Sequence, residues 1–319
     1  MAKFTVSSSP HISSKDTTTK IMLDVIIALI PALIMATVFF GLRALLVAAI
    51  CIASSVLSEY LSRKIMKREN TVGDLSAVVT GLLLALNLPV NIPLWMAVLG
   101  SIIAIVVVKQ FFGGLGQNFV NPAITARIIL MLCFTGAMTN WVTPNFKTHI
   151  DGLTGASPLG VLASREGEMP SLLEMFIGLR EGSMGETCVI ALMLGGLYLI
   201  IKKVISPIIP LTFIGTVFVS AFLIEFDVTY ALYHILSGGL FLGAIFMATD
   251  YVTTPITNWG KVIFGVGCGL ITIAIRVWGS LPEGVSYSIL LMNILTPHID
   301  NLTLSKPFGR VKEVKNGEA

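Results

Sequence analysis

The chain predicts an all-α integral membrane protein of about ten transmembrane helices in two inverted five-helix halves, and three observations point there. Of 319 residues, 55% are hydrophobic and only 12% are charged, with a mean hydropathy of +0.87, far outside the range of soluble domains. Apolar runs of about 20 residues, the length that crosses a hydrocarbon core of about 30 Å, recur along the chain. In lipid such runs must satisfy their own backbone groups, which leaves helices as the spanning form. The third observation is an uneven placement of basic residues between successive spans.

Taken in order, residues 1–20 form a polar tail with neither the short apolar core nor the cleavage site of a secretory signal, so the first span is expected to be a retained anchor. Spans are expected near 21–42, 44–62, 74–92, 93–110 and 120–140, making a first half over 21–140. A polar loop fills 141–185. Further spans near 186–201, 205–224, 230–248, 261–278 and 285–300 make a second half over 186–300, followed by a tail over 301–319. Cys51, Cys133, Cys188 and Cys268 lie singly in or beside apolar segments without a CxxC pair, which argues against zinc, iron–sulfur or disulfide chemistry.

With the N-terminus in the cytoplasm, Lys3, Lys15, Lys20, the Arg63, Lys64, Lys67, Arg68 group, Lys109, Lys202, Lys203, Lys261 and the tail residues Lys306, Arg310, Lys312 and Lys315 all fall inside. Only Arg43, Lys147, Arg165, Arg180 and Arg276 fall outside. Both termini are then cytoplasmic, and the 141–185 loop, with Asp151, Glu166, Glu168, Glu174 and Glu181, lies on the outer face of a cell membrane.

Five spans on each side of that loop force the halves into opposite orientations, the plan of inverted-repeat proteins. Internal echoes agree. Leu75-Ser76, Gly81, Ala85, Asn87, Pro89, Pro93 and Trp95 resemble Leu236-Ser237, Gly243, Ala248, Asp250, Pro255 and Trp259. The stretch from Lys109 through Phe111 and Gly113 to Asn118-Phe119 resembles Arg276, Trp278, Gly279 and Ser286-Tyr287. Recurrence of Gly, Pro and Trp at membrane interfaces is the plain alternative. If the repeat holds, Pro- and Gly-broken spans free backbone groups that a ligand, ion or side chain must satisfy. Two polar pockets follow: Asn87, Asn91, Ser286 and Tyr287 toward the outer face, and Thr249, Asp250, Thr253 and Thr254 with Asn118 and Asn121 toward the inner face. Asp250 either serves such a pocket or caps a turn at the headgroups. Arg127, in the fifth span, is placed to pair with Asp250 or a ligand phosphate, or to reach the inner interface.

Before that span, Gly113-Gly114-Leu115-Gly116 permits close approach of backbone to a flat ligand, Asn121 suits a helix cap and Pro122 the first turn. No strand precedes these glycines, so they are not a dinucleotide fingerprint. In the loop, Asp151, Thr154, Gly155, Ala156 and Ser157 match the pattern at which flavin transferases join FMN through its phosphate to the last hydroxyl. A phosphoester needs that hydroxyl, and Gly155-Ala156 leave the approach uncrowded; an ST-type turn before Pro158 is the other explanation.

Together the segments Gly116 to Ala123, Asp151 to Ser157, Gly238-Gly239 with Met247 to Pro255, and Met292 to Asp300 resemble the NqrB/RnfD family, and within it the RnfD branch, to which the short N-terminal tail is suited. The family usually carries threonine where this chain has Ser157. The resemblance implies a redox subunit, not catalytic alone, of an Rnf complex with A, B, C, E and G subunits. Electrons pass there between ferredoxin and NAD+ while Na+ or H+ crosses a prokaryotic cell membrane. It implies covalent FMN on Ser157, placed there by a flavin transferase with Asp151 positioning the chain, and a non-covalent riboflavin. On this basis Asn118, Asn121, Asp250, Thr253 and Thr254 are expected to line the inner flavin or ion site, with Arg127 beside it, and Asp250, Asp24 and Glu59 are candidates for ion coupling. No metal ligand set and no nucleic-acid partner are expected. The competing classes are an inverted-repeat solute channel or carrier and a helical scaffold without redox groups.

Overall fold

A computed structural model describes residues 16–144, 157–164, 169–279 and 283–304, and among these residues there is no strand. Helix α1 (Thr18–Phe40) starts where Thr17 Oγ1 accepts from Lys20 N at 3.3 Å. It stops at Gly41, whose φ of 77° only glycine adopts freely, and α2 (Leu42–Ile65) begins at once. Beyond a 3₁₀ turn at Val72–Asp74 comes α3 (Ser76–Leu86), then α4 (Leu94–Gln110), α5 (Pro122–Cys133) and the short α6 (Thr135–Met138). Two small helices, α7 (Pro158–Ser164) and α8 (Leu172–Ile177), lie in the connecting region. The second half is α9 (Val189–Ile201), α10 (Ile208–Glu225), α11 (Val228–Leu236), α12 (Leu240–Met247), α13 (Asn258–Trp278) and α14 (Val285–Thr303).

Every expected span coincides with a helix or helix pair, but their lengths differ from the expectation. By length and composition α1, α2, α10 and α13 can each cross a membrane, and α11 with α12, bent by 65° at their break, can together make a fifth crossing or a re-entrant loop. By contrast α3, α5 and α9 have 11, 12 and 13 residues, about 16 to 20 Å at 1.5 Å per residue, too short to cross alone. Apolar residues continue past Leu86 and Cys133, so hydropathy alone could not show where α3 and α5 stop, whereas Glu186 and Lys202-Lys203 bracket α9. At Leu86 the chain leaves helix because Pro89 and Pro93 follow; at Cys133 it turns at Phe134 into α6.

The packing repeats between the halves. Helix α2 lies against α3 and α4, as α10 lies against α11 and α13. Across the halves, α1 pairs with α9 and α5 with α14, and both pairs are antiparallel: Asp24 meets Tyr198 while Gly195 meets Ala28, and Arg127 meets Ser286 while Asn121 meets Asn293. Antiparallel self-pairing is what a two-fold axis in the membrane plane produces. Two left-handed residues, Leu75 (φ 64°) and Gly238 (φ 66°), start α3 and α12, and the same interval leads from each to Asn87 and Asp250. Parts of α4 (Ile103–Gln110) and α12 (Gly243–Met247) are wound as π-helix, a feature that clusters at functional sites.

Small residues let the elements close. A Cβ on Gly81 of α3 would lie 2.7 Å from the Cys51 carbonyl of α2, and one on Gly195 would collide with the Ala28 carbonyl of α1. Large apolar side chains such as Ile34, Leu57, Leu211, Leu223 and Trp278 are exposed, as helices facing lipid or neighbouring subunits require.

Candidate functional site

Half-length helices end in the interior, so their termini bring polar groups to two cavities on opposite sides of Met247. The first is lined by Asn118, Asn121, Thr249 and Asp250, with Leu199, Phe246 and other apolar side chains as walls. Its frame is tightly bonded. Asn121 Oδ1 accepts from Ala123 N (3.0 Å) and Ile124 N (3.2 Å), capping α5, while its Nδ2 donates to Met247 O at 3.2 Å. Thr253 Oγ1 donates to Asp250 Oδ2 at 3.4 Å and Thr254 Oγ1 to Asp250 O at 2.8 Å. Asn293, in the amide orientation that satisfies its neighbours, accepts from Asn121 N at 3.1 Å and donates to Thr253 O at 3.2 Å.

Asp250 lies beyond the end of the broken α11/α12 crossing. Burial pushes its carboxyl above the usual carboxylate range, offset in part by hydrogen bonds from Val252, Thr253 and Asn118. Of the residues expected here, Asn118, Asn121, Thr249 and Asp250 line the cavity together, while Thr253 and Thr254 bond Asp250 without lining it. A few polar side chains beside apolar walls are suited to a flat heteroaromatic ligand such as a flavin ring.

Arg127 does not join Asp250. It points to the other side of Met247, where Nη1 donates to Asn87 Oδ1 (3.0 Å) and Ser286 Oγ (3.1 Å) and Nη2 pairs with Glu283. The physical reason is that Asn121 caps α5 at the first cavity, and Arg127, further along the helix, is carried past Met247 to the start of α14. Asn87 and Ser286 thus meet as expected, whereas Asn91 is exposed and stays out of the cluster. Asn87 Nδ2 also donates to Met247 Sδ at 3.4 Å, so Asn87 at the end of α3 and Asn121 at the start of α5 both hold Met247.

The second cavity is lined by Ser157, Trp141, Glu181, Glu186, Glu283 and Tyr287 among others. Ser157 Oγ accepts from Gly160 N at 3.3 Å, which fixes the hydroxyl at the start of α7. Of the flavin-attachment pattern only Ser157 is described; Asp151, Thr154, Gly155 and Ala156 lie outside the described residues. A hydroxyl at the lip of a cavity with Trp141 and Tyr287 in its wall fits a phosphate-linked ring system.

Charges counted above as facing water are internal. Lys109 Nζ bonds both Glu59 oxygens at 3.0 Å and Ser76 Oγ at 2.6 Å, and Gln110 Nε2 and Thr71 Oγ1 bond Glu59 Oε1 at 2.8 and 3.2 Å. Arg180 is buried with Nη2 on Glu186 O at 2.6 Å. Arg276 is buried with Nη1 on His234 O (2.5 Å) and Nη2 on Ser237 O (3.1 Å). Lys109 closes on Ser76, the first residue of α3, and Arg276 on Ser237, which ends α11, two contacts at positions that the internal echo pairs. Asp24 accepts from Tyr198 Oη at 2.7 Å. Sequence reasoning missed Glu186, Glu283 and Asn293; an acid directly before an apolar run, as Glu186 stands, was the available clue for the first.

A sequence profile of the family described as NQR2, RnfD, RnfE matches residues 5–309. The chain is 50% identical over 318 residues to a protein of Acetobacterium woodii named as the D subunit of a Na(+)-translocating ferredoxin:NAD(+) oxidoreductase complex, covering 99% of this chain and 98% of that one. It is 44% identical over 321 residues to the D subunit of a proton-translocating ferredoxin:NAD(+) oxidoreductase complex of Clostridium ljungdahlii, with 96% of each covered. It is 38% identical over 329 residues to the D subunit of an ion-translocating oxidoreductase complex of Stutzerimonas stutzeri, covering 91% of this chain and 92% of that one.

Proposed function

The chain belongs to the NQR2, RnfD, RnfE family, and from that premise we propose that it is the D-type membrane subunit of an ion-translocating ferredoxin:NAD+ oxidoreductase complex in a prokaryotic cell membrane. Ser157 carries covalent FMN through a phosphoester made by a flavin transferase, and the first cavity holds a non-covalent riboflavin. NAD and iron–sulfur chemistry belongs to partner subunits of the A, B, C, E and G types. The coupling ion is Na+ or H+, since relatives named for each match over nearly the full chain.

A flavin, when bound, accepts and donates electrons; the chain's residues set its place and surroundings. Ser157 supplies the linking oxygen, and Trp141 and Tyr287 offer ring contacts in the cavity wall. At the first cavity Asn118 and Asn121 present amides, Asp250 with Thr253 presents a carboxyl edge, and Thr254 ties the Asp250 turn closed. Two carriers on opposite sides of the Met247 partition divide the membrane thickness into shorter electron steps.

One observation supports the reading most: Ser157, last residue of the attachment pattern, lines the second cavity. A denaturing gel of the purified protein viewed under ultraviolet light should show a fluorescent band that disappears in Ser157→Ala. A dark band from the native host would overturn covalent flavin and favour a channel or scaffold.

A further inference from the structure

Glu186 and Glu283 stand at the mouth of α12 from different elements, the segment before α9 and the segment before α14. A Cβ placed on Gly239 would lie 3.2 Å from Glu186 Oε2 and 3.2 Å from Glu283 Oε1, so both oxygens face one point that the glycine leaves open. Neither oxygen has a hydrogen-bond donor although both are buried; Glu186 is only 5% exposed. An ionised, buried carboxylate oxygen without a donor is costly, and protonation turns one such oxygen into a donor for the other.

The contrast with Glu59 is decisive. Both Glu59 oxygens are taken by Lys109, with Gln110 and Thr71 adding to one of them, so a proton there would displace an ion pair. Glu283 has one oxygen held by Arg127. Glu186 receives no side-chain ion pair; Arg180 bonds its backbone carbonyl instead. Groups facing the pair are Arg127 of α5, Arg180 and Glu181 of the α8–α9 connection, Arg276 of α13 and Tyr287 of α14. Three guanidinium groups balance the carboxylates of Glu181, Glu186 and Glu283, so one bound proton leaves a positive surplus that opposes a second. The cavity is about 190 Å³, lined by both carboxylates, with room for on the order of ten waters to deliver a proton.

We propose that Glu186 and Glu283 form a proton-holding pair, in which Glu186 carries one exchangeable proton directed at Glu283 Oε1 across Gly239 and exchanges it with water in the cavity beneath Ser157. Hydronium gives the proton and becomes water; on release water takes it back, and the Glu186 carboxylate is restored. Only what drives loading and release, a change of charge on a flavin at Ser157, rests on the redox reading above.

Infrared difference spectroscopy of the purified complex tests this with two triggers, a pH step and chemical reduction. The pH step should give a protonated-carboxyl band that shifts down in D2O, is absent in Glu186→Gln and persists in Glu181→Gln. A band unchanged in Glu186→Gln, or no such band, overturns the pair. If Glu186→Gln fails to assemble, Gly239→Ala decides, because its methyl presses on both oxygens without altering charge: a shifted titration midpoint is expected, and an unmoved one refutes the pairing. A pH-dependent band in a complex that gives a dark gel would support the proton site while the flavin reading fails.

Discussion

At the scale of single residues, the buried ions are the most exacting feature. Removing the carboxylate in Glu59→Ala leaves Lys109 buried and unpaired, which should cost about 3–5 kcal/mol, whereas replacing both with Met should recover most of that. Thermal unfolding of the detergent-solubilised complex reads the difference; equal losses for single and double variants would refute it. Asp250 gives a prediction in pH. Its folded-state carboxyl titrates above the ordinary range, so its contribution to stability is full below the unfolded value and is lost as pH rises through the folded one. Asp250→Asn should therefore remove part of the loss of stability that accompanies rising pH; an unchanged pH profile counts against a buried acid. That Asp250 is drawn into a cavity was legible from an acid beside an apolar run. The Glu186–Glu283 meeting was not, since the two residues are far apart in sequence.

At the scale of elements, the half-length helices place the chemistry. Asn121 both caps α5 and holds Met247, so Asn121→Ala should cost about 1–2 kcal/mol in stability and loosen whatever occupies the first cavity. Retained non-covalent flavin, measured by extraction and fluorescence, would argue against that second role. The α1–α9 crossing depends on Gly195 meeting the Ala28 backbone, and Gly195→Leu should cost at least about 1–3 kcal/mol by forcing the helices apart. The GQNFVNPA segment announced the α5 cap correctly because a cap is a local hydrogen-bond pattern. The lengths of α3 and α5 were not legible, because apolar residues continue past their ends, whereas Lys202-Lys203 marked the end of α9.

For the whole molecule, inverted halves make a topological prediction. In a Cys133→Ser background, which removes the exposed native thiol, Ser164→Cys should react with a membrane-impermeant maleimide in intact cells. Labelling only after lysis would place α7 in the cytoplasm and overturn the orientation drawn from the basic residues. Those counts included Lys109, Arg180 and Arg276, which are internal, so the orientation rests on the remaining exposed cations such as Lys64, Lys67 and Lys202.

Composition and hydropathy by themselves determined a helical membrane protein, because the cost of exposing apolar or unbonded backbone groups depends only on what each segment contains. Local patterns determined the cap at Asn121 and singled out Ser157 for the same reason. Which side of Met247 Arg127 reaches, that Lys109 belongs to Glu59, and that two distant glutamates face one glycine were decided only by tertiary structure. Pairing of buried charges depends on distance in space, and the packing of segments far apart in sequence sets that distance.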